Sequence, residues 1–145
     1  MDIIKRASLI FDKLIIGISF NTSIDNSLFS KHERLYMVTQ ELRDYNLCNV
    51  KVKIFTTLLI DFIKSENIYT IVRGVRNTQD LEYEFQMFGI NQNMLKHMDM
   101  VLLPSIPSTK HISSTLVKEI ARLGGDLHGL VSSQVGDKLK KIYNI

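Results

Sequence analysis

Two hydrophobic periods alternate along the chain. Residues 2–12 carry Ile3, Ala7, Ile10 and Phe11 at helical spacing, and residues 14–20 form a short, Ile-rich apolar run of the kind a buried strand makes. After a polar loop at residues 21–27, Ser30-Lys-His-Glu33 has the form of a capping box, opening a helix with Leu35, Val38, Leu42 and Tyr45 on one side. Val50, Val52 and Ile54 alternate with lysines and predict a second strand over Val50–Phe55. Thr57 is placed to cap a helix with Leu59, Phe62 and Ile63 inside, and residues 69–72 read as a third strand. Residues 79–95 predict a long helix, apolar at Leu81, Phe85, Phe88 and Leu95. Residues 98–103 predict a fourth strand, closed by Pro104. Ser113 or Ser114 then caps a helix with Leu116, Ile120 and Leu123, ended by Gly124-Gly125. A last helix from about Ser133 buries Val135, Leu139 and Ile142.

A helix followed by four strand–helix units and a closing helix implies parallel strands joined by helical crossovers. The expected architecture is a single α/β domain over residues 1–145, a doubly wound parallel sheet, with ligands beyond the C-terminal ends of its strands. Composition agrees with one globular unit: 145 residues, 45% hydrophobic and 23% charged. One cysteine, Cys48, excludes a disulfide framework or a CxxC zinc site. The apolar run at 14–20 is too short to span a bilayer and the first residues have no signal-peptide pattern, so a cytoplasmic setting without membrane attachment is expected. A net charge of +3, with one dense basic cluster at Lys138-Leu-Lys-Lys141, suits a local anionic ligand better than a nucleic acid.

P-loop, GxGxxG, HExxH and GxSxG patterns are absent, and the four histidines have no metal-ligand spacing. Two segments fall where this fold places ligands. Arg73-Gly-Val-Arg76, expected directly after the third strand, offers two guanidinium forks for phosphate and a glycine that permits close backbone approach. Behind it, Asp80 and Glu82 have a sufficient explanation in the helix dipole, while Glu84 stays open between orienting an arginine and contacting a ligand. His111-Ile-Ser-Ser-Thr115, beside Lys110, combines three hydroxyls with a helix N-terminus, an anion cradle. Together the two segments suit a nucleoside triphosphate and phosphoryl or nucleotidyl transfer.

Val72-Arg-Gly-Val-Arg-Asn-Thr-Gln-Asp-Leu-Glu-Tyr-Glu-Phe-Gln86 resembles the R-G-aliphatic-R … D-F/L-E-Y-E-F/M-Q signature of the bacterial phosphopantetheine adenylyltransferase family. Ile112-Ser-Ser-Thr-Leu-Val-Lys-Glu-Ile-Ala121 with Gly124-Gly-Asp126, and Phe29 with Glu33-Arg34, resemble it too. The resemblance implies a Rossmann-like nucleotidyltransferase fold that transfers AMP from ATP to 4′-phosphopantetheine with magnesium, giving dephospho-coenzyme A and pyrophosphate. It implies a homohexamer, a trimer of dimers. By the same resemblance, Arg73, Leu59 and Asn91 serve the acceptor. Gly74, Val75, Arg76 and Glu84 serve ATP, together with Thr109, Lys110, His111, Ile112, Ser113, Ser114 and Thr115. No residue is expected as a protein ligand to a metal.

Three departures from the family accompany it. The loop at 21–27 has Ile24 or Asp25 where the family has a lysine, and no aromatic residue stands near Thr109. Family members also begin with a central strand and a T/HxGH motif whose histidine acts on the transferred phosphate, and that histidine would precede Met1. The expectation is therefore a gap between residues 14–20 and 69–72, and a chain that does not turn over by itself. The alternative is a nucleotide-binding, oligomer-forming module without turnover.

Overall fold

The computed structural model describes residues 1–20 and 27–144. Its elements are α1 (Asp2–Ile10), β1 (Leu14–Ser19), α2 (Lys31–Asp44), β2 (Val50–Phe55), α3 (Leu59–Ser65), β3 (Thr70–Val75), α4 (Thr78–Met94), β4 (Asp99–Pro104), α5 (Ser114–Arg122) and α6 (Ser133–Tyr143). This is the order read from the hydrophobic pattern. The chain divides into two compact units, Met1–Ser105 and Ile106–Ile145.

The first unit holds all four strands, paired as two parallel ribbons. β1 lies beside β2 with Leu14 opposite Val50, and β3 lies beside β4 with Thr70 opposite Asp99. Among the described residues no ladder joins β1 to β3. A cavity of about 900 Å³ takes that place, lined by Leu14–Ser19 residues on one side and by Thr70, Ile71, Val72 and Arg73 on the other. In β1 only Ile18 is buried, and no residue of β3 is. Strands at the centre of a parallel sheet are covered on both faces, so the half-open state of these two fits the expected gap.

Local chemistry explains the elements. Ser30 and Glu33 close the expected capping box, with the Glu33 amide donating to Ser30 Oγ at 3.3 Å and the Ser30 amide to Glu33 Oε2 at 3.0 Å. Phe55 and Phe62 stack with ring centroids 4.5 Å apart. Gly17 lies beneath them: a Cβ there would come within 3.0 Å of the Phe55 ring. The core on the α3 side is Ile60, Ile63 and Met98, with Ile71, Phe88 and Leu95 packed against it.

Several expectations need correction. The third strand runs to Val75 rather than 72, so Arg73, Gly74 and Val75 belong to the ladder, paired with Leu102, Leu103 and Pro104. The Arg-Gly step has no local turn signal, and pairing to β4 carries it on. Thr57 does not cap α3; Leu58 is the N-cap residue and makes no side-chain cap bond. The long helix starts one residue earlier, because Asn77 accepts from the Asp80 amide at 2.8 Å. Phe85 is 56% exposed. The inward stripe of α4 runs through Glu84, Phe88, Asn91 and Leu95, and Phe85 falls past its edge. Ile10, Tyr45, Leu123 and Ile142 are also exposed, each near the end of its helix; the Lys5 ammonium sits 3.2 Å from the centre of the Tyr45 ring.

In the second unit α5 and α6 pack together, burying Val117, Ala121, Leu127, Gly136 and Leu139. Gly124 takes φ 74°, and the Gly125 amide donates to the Ile120 carbonyl at 2.9 Å, so α5 ends in the expected glycine cap.

Candidate functional site

The β3–α4 junction carries the charged part of the site in the first unit. Arg73 stands near the C-terminal end of β3, paired with Leu102, and its Nε donates to Glu84 Oε2 at 2.9 Å. Glu84 reaches it from the second turn of α4, with its side chain only 13% exposed. Within the protein, Glu84 pairs with Arg73. Arg73 and Leu59 line the same 900 Å³ cavity, which runs along β1 and β3 from Leu14 and Thr70; Ser19, Phe55 and Thr57 bound it at the C-terminal ends of β1 and β2. That is the end of the strands at which α/β folds bind ligands.

Arg76 follows β3 directly. Its backbone amide donates to Asp80 Oδ2 at 3.0 Å, its Nε to the same oxygen at 2.9 Å, and its Nη2 to Oδ1 at 3.3 Å. The pair shifts both groups. Hydrogen bonding to Asp80, then its charge, raises Arg76 above its ordinary value. Hydrogen bonds from the Arg76 side chain and then its backbone hold the Asp80 carboxyl below its own. A helix-dipole explanation of Asp80 is therefore incomplete. Arg76 precedes the Asn77 N-cap, so the contact closes over the first turn of α4 from outside the helix. Glu82 is exposed, as expected of a residue that only faces solvent.

Gly74 has a packing reason of its own. A Cβ at this position would stand 2.9 Å from Ile3 Cγ1, so the side that close approach favours is taken by α1. Val75 is the last ladder residue, its carbonyl accepting from the Ser105 amide at 2.8 Å. Asn91 is 6% exposed on the inward stripe of α4, the buried polar residue of the described core.

In the second unit, residues 109–115 form a turn running into α5. The Thr109 and Lys110 amides donate to the Ile106 carbonyl, each at 3.0 Å, and the Ile112 amide to Thr109 at 3.0 Å. Ser113, not Ser114, is the N-cap, its hydroxyl accepting from the Leu116 amide at 3.2 Å. Ser114 and Thr115 open the helix and are exposed, as are Lys110 and His111. The first amides of a helix have no partner within it, so this segment presents hydroxyls and N–H groups together. The lysine-lacking loop position at Ile24 or Asp25 lies outside the described residues.

Parallel strands with crossover helices, arginines at a strand end and a hydroxyl-rich helix start are the parts of a nucleotidyltransferase. The cytidylyltransferase-like family profile matches residues 1–120, and the chain belongs to that family. Within it, the chain is a member of the phosphopantetheine adenylyltransferases. It is 37% identical over 144 residues to the phosphopantetheine adenylyltransferase of Clostridium tetani, covering 99% of this chain and 88% of that one. The enzyme of the same name from Vesicomyosocius okutanii is 39% identical over 140 residues, covering 97% and 87%. That of Burkholderia lata is 41% identical over 134 residues, covering 92% and 79%.

Proposed function

We propose that this chain serves the adenylyl transfer its relatives are named for, performed once a further strand pairs with the open edges of β1 and β3. The phosphate of 4′-phosphopantetheine attacks the α-phosphorus of ATP. A new P–O bond forms, the bond to the bridging oxygen breaks, and dephospho-coenzyme A and pyrophosphate leave. The observation that carries this reading is 37–41% identity along nearly the whole chain to enzymes of that name. In such a reaction the protein mainly positions reactants and stabilises charge. Arg73, held by Glu84, binds the acceptor phosphate, and Leu59 at the start of α3 contacts the pantetheine arm. Arg76 binds ATP phosphate, and Ser113, Ser114 and Thr115 with their helix N-terminus bind the triphosphate.

Magnesium enters this reading with the triphosphate it accompanies. Among the described residues no three His, Cys, Asp or Glu side chains cluster to hold a metal ion. Assembly of copies belongs to the same reading: α4 leaves Tyr83 and Ile90, seven residues apart on one helix face, each more than half exposed, apolar area that a second copy would cover. So does a cytoplasmic setting; no helix of the described residues is long and apolar enough to cross a membrane.

The open edges of β1 and β3 support one further part. Turnover requires an additional strand in the cavity between them, carrying the family's histidine. Loss of one positioned transition-state donor costs about a hundredfold or more. The test is pyrophosphate release from ATP and 4′-phosphopantetheine by this chain, with and without an N-terminal extension carrying the YPGTFDPxTxGH strand. The expected result is negligible turnover alone and restored turnover with the extension. Equal turnover in both would remove the strand requirement, and none in either would remove the adenylyltransferase assignment.

A further inference from the structure

Asp80 makes three hydrogen bonds to one residue, and their arrangement matters more than their number. Its Oδ2 accepts both from the Arg76 backbone amide and from Arg76 Nε, while Oδ1 accepts from Nη2. One carboxylate thus ties the root of the arginine side chain to its head. The side chain folds back in a closed ring and loses the rotamer freedom a surface arginine ordinarily keeps. Asp80 is itself held, its amide donating to Asn77 Oδ1 at 2.8 Å in the first turn of α4. Complementing the helix dipole would need only a negative charge in that turn; it would not need contact with both ends of Arg76. The arginine side chain nevertheless remains 38% exposed, so the ring holds a guanidinium at the surface rather than burying it.

We propose that Asp80 is a positioning residue for nucleotide binding, fixing the plane of the Arg76 guanidinium before the triphosphate arrives. This rests on the reading above that Arg76 binds ATP. A guanidinium binds phosphate oxygens through coplanar N–H pairs, so its orientation carries affinity that a mobile charge lacks. Preorganisation also removes an ordering cost from the binding step.

The experiment is calorimetric titration of ATP into the full chain and its variants, each checked for folding by thermal melting. Asp80→Asn is expected to weaken ATP about tenfold, a coupling usual for residues in one network, and Asp80→Glu to stay within about threefold of the parent. On an Arg76→Ala background, Asp80→Asn should change affinity by less than about twofold, since the group it positions is gone. Arg76→Lys keeps the charge but cannot be held through Nε and Nη2 together. It should bind as weakly as Asp80→Asn, and it keeps the proposal testable if Asp80→Asn does not fold. Unchanged or tighter ATP binding by Asp80→Asn, losses that simply add in the double variant, or a fully competent Arg76→Lys would each overturn the positioning role. If Arg76→Ala itself binds ATP normally, the assignment of Arg76 to the nucleotide fails, and this proposal falls with it; that outcome is recognised by the single arginine variant alone.

Discussion

The β3–α4 junction and the start of α5 both present groups of hydrogen-bond donors, and they hold them differently. At the junction the donors sit on long side chains, and each is restrained by a carboxylate: Arg73 by Glu84 and Arg76 by Asp80. At the start of α5 the donors are short. Ser113 is fixed by capping the Leu116 amide, and the N–H groups are fixed because the helix is. An arginine has much rotamer entropy to lose and needs a partner to hold it; a backbone amide in a helix turn has already lost its freedom. The first design places its positioning cost in acidic residues on a neighbouring helix, and the second hides it in secondary structure.

The sharpest break in that comparison should come from Arg76→Ala. Loss of a charge-assisted contact to phosphate should cost about 1.5–3 kcal/mol of ATP affinity, roughly ten- to a hundredfold, read by calorimetry. A change under twofold would leave the junction without its nucleotide role. Replacing Gly74 by Ala tests whether that glycine serves packing. Its new Cβ would meet Ile3 Cγ1 at 2.9 Å, and overpacking of this kind costs about 1–3 kcal/mol in a denaturant melt. On an Ile3→Ala background, which removes that carbon, the same glycine replacement should cost less, whereas an undiminished cost would assign it elsewhere.

Ser113 and Ser114 separate capping from binding. Ser113→Ala removes the N-cap bond and should lower stability by about 1 kcal/mol. Ser114→Ala touches no cap and should leave the melting temperature unchanged while weakening ATP by about tenfold, the lower worth of one hydrogen bond to a charged acceptor. If Ser114→Ala lowers stability and leaves binding intact, the second region is a helix start and nothing more.

The smallest effect is the pH dependence of the first region. Arg76 holds the Asp80 carboxyl below its ordinary value, so the folded chain binds that proton less readily than the unfolded one. The contribution of the pair is present above the unfolded carboxylate range and is lost as pH falls through the lowered folded value. The difference in melting temperature between the parent and Asp80→Asn should therefore be constant near neutrality and shrink in acid. A difference that grows on acidification would contradict the sign of the shift.

Much of this molecule was legible residue by residue. The order of ten elements, the Ser30–Glu33 box and the Gly124 cap follow from local rules: periodicity sets the element, and a side chain within four residues sets its end. Boundaries failed where partners lie far away. β3 continues through Arg73 and Gly74 because β4 pairs with them, and no residue nearby announces it. Asn77 and Asp80 show the intermediate case, a capping pattern present in the sequence that a stronger apolar signal further along the helix obscured.

The sequence by itself determined the kind of elements, their order and the chemistry available at two places, because hydrophobic period, capping and charge are properties of neighbouring residues. Only the tertiary structure decided which carboxylate holds which arginine, that Ile3 occupies the space above Gly74, and that β1 and β3 border a cavity instead of one another. Those contacts join residues up to 71 positions apart, as Ile3 and Gly74 are. Such pairings are set by how elements pack against each other, and no local pattern encodes the distance between two helices or two strand edges.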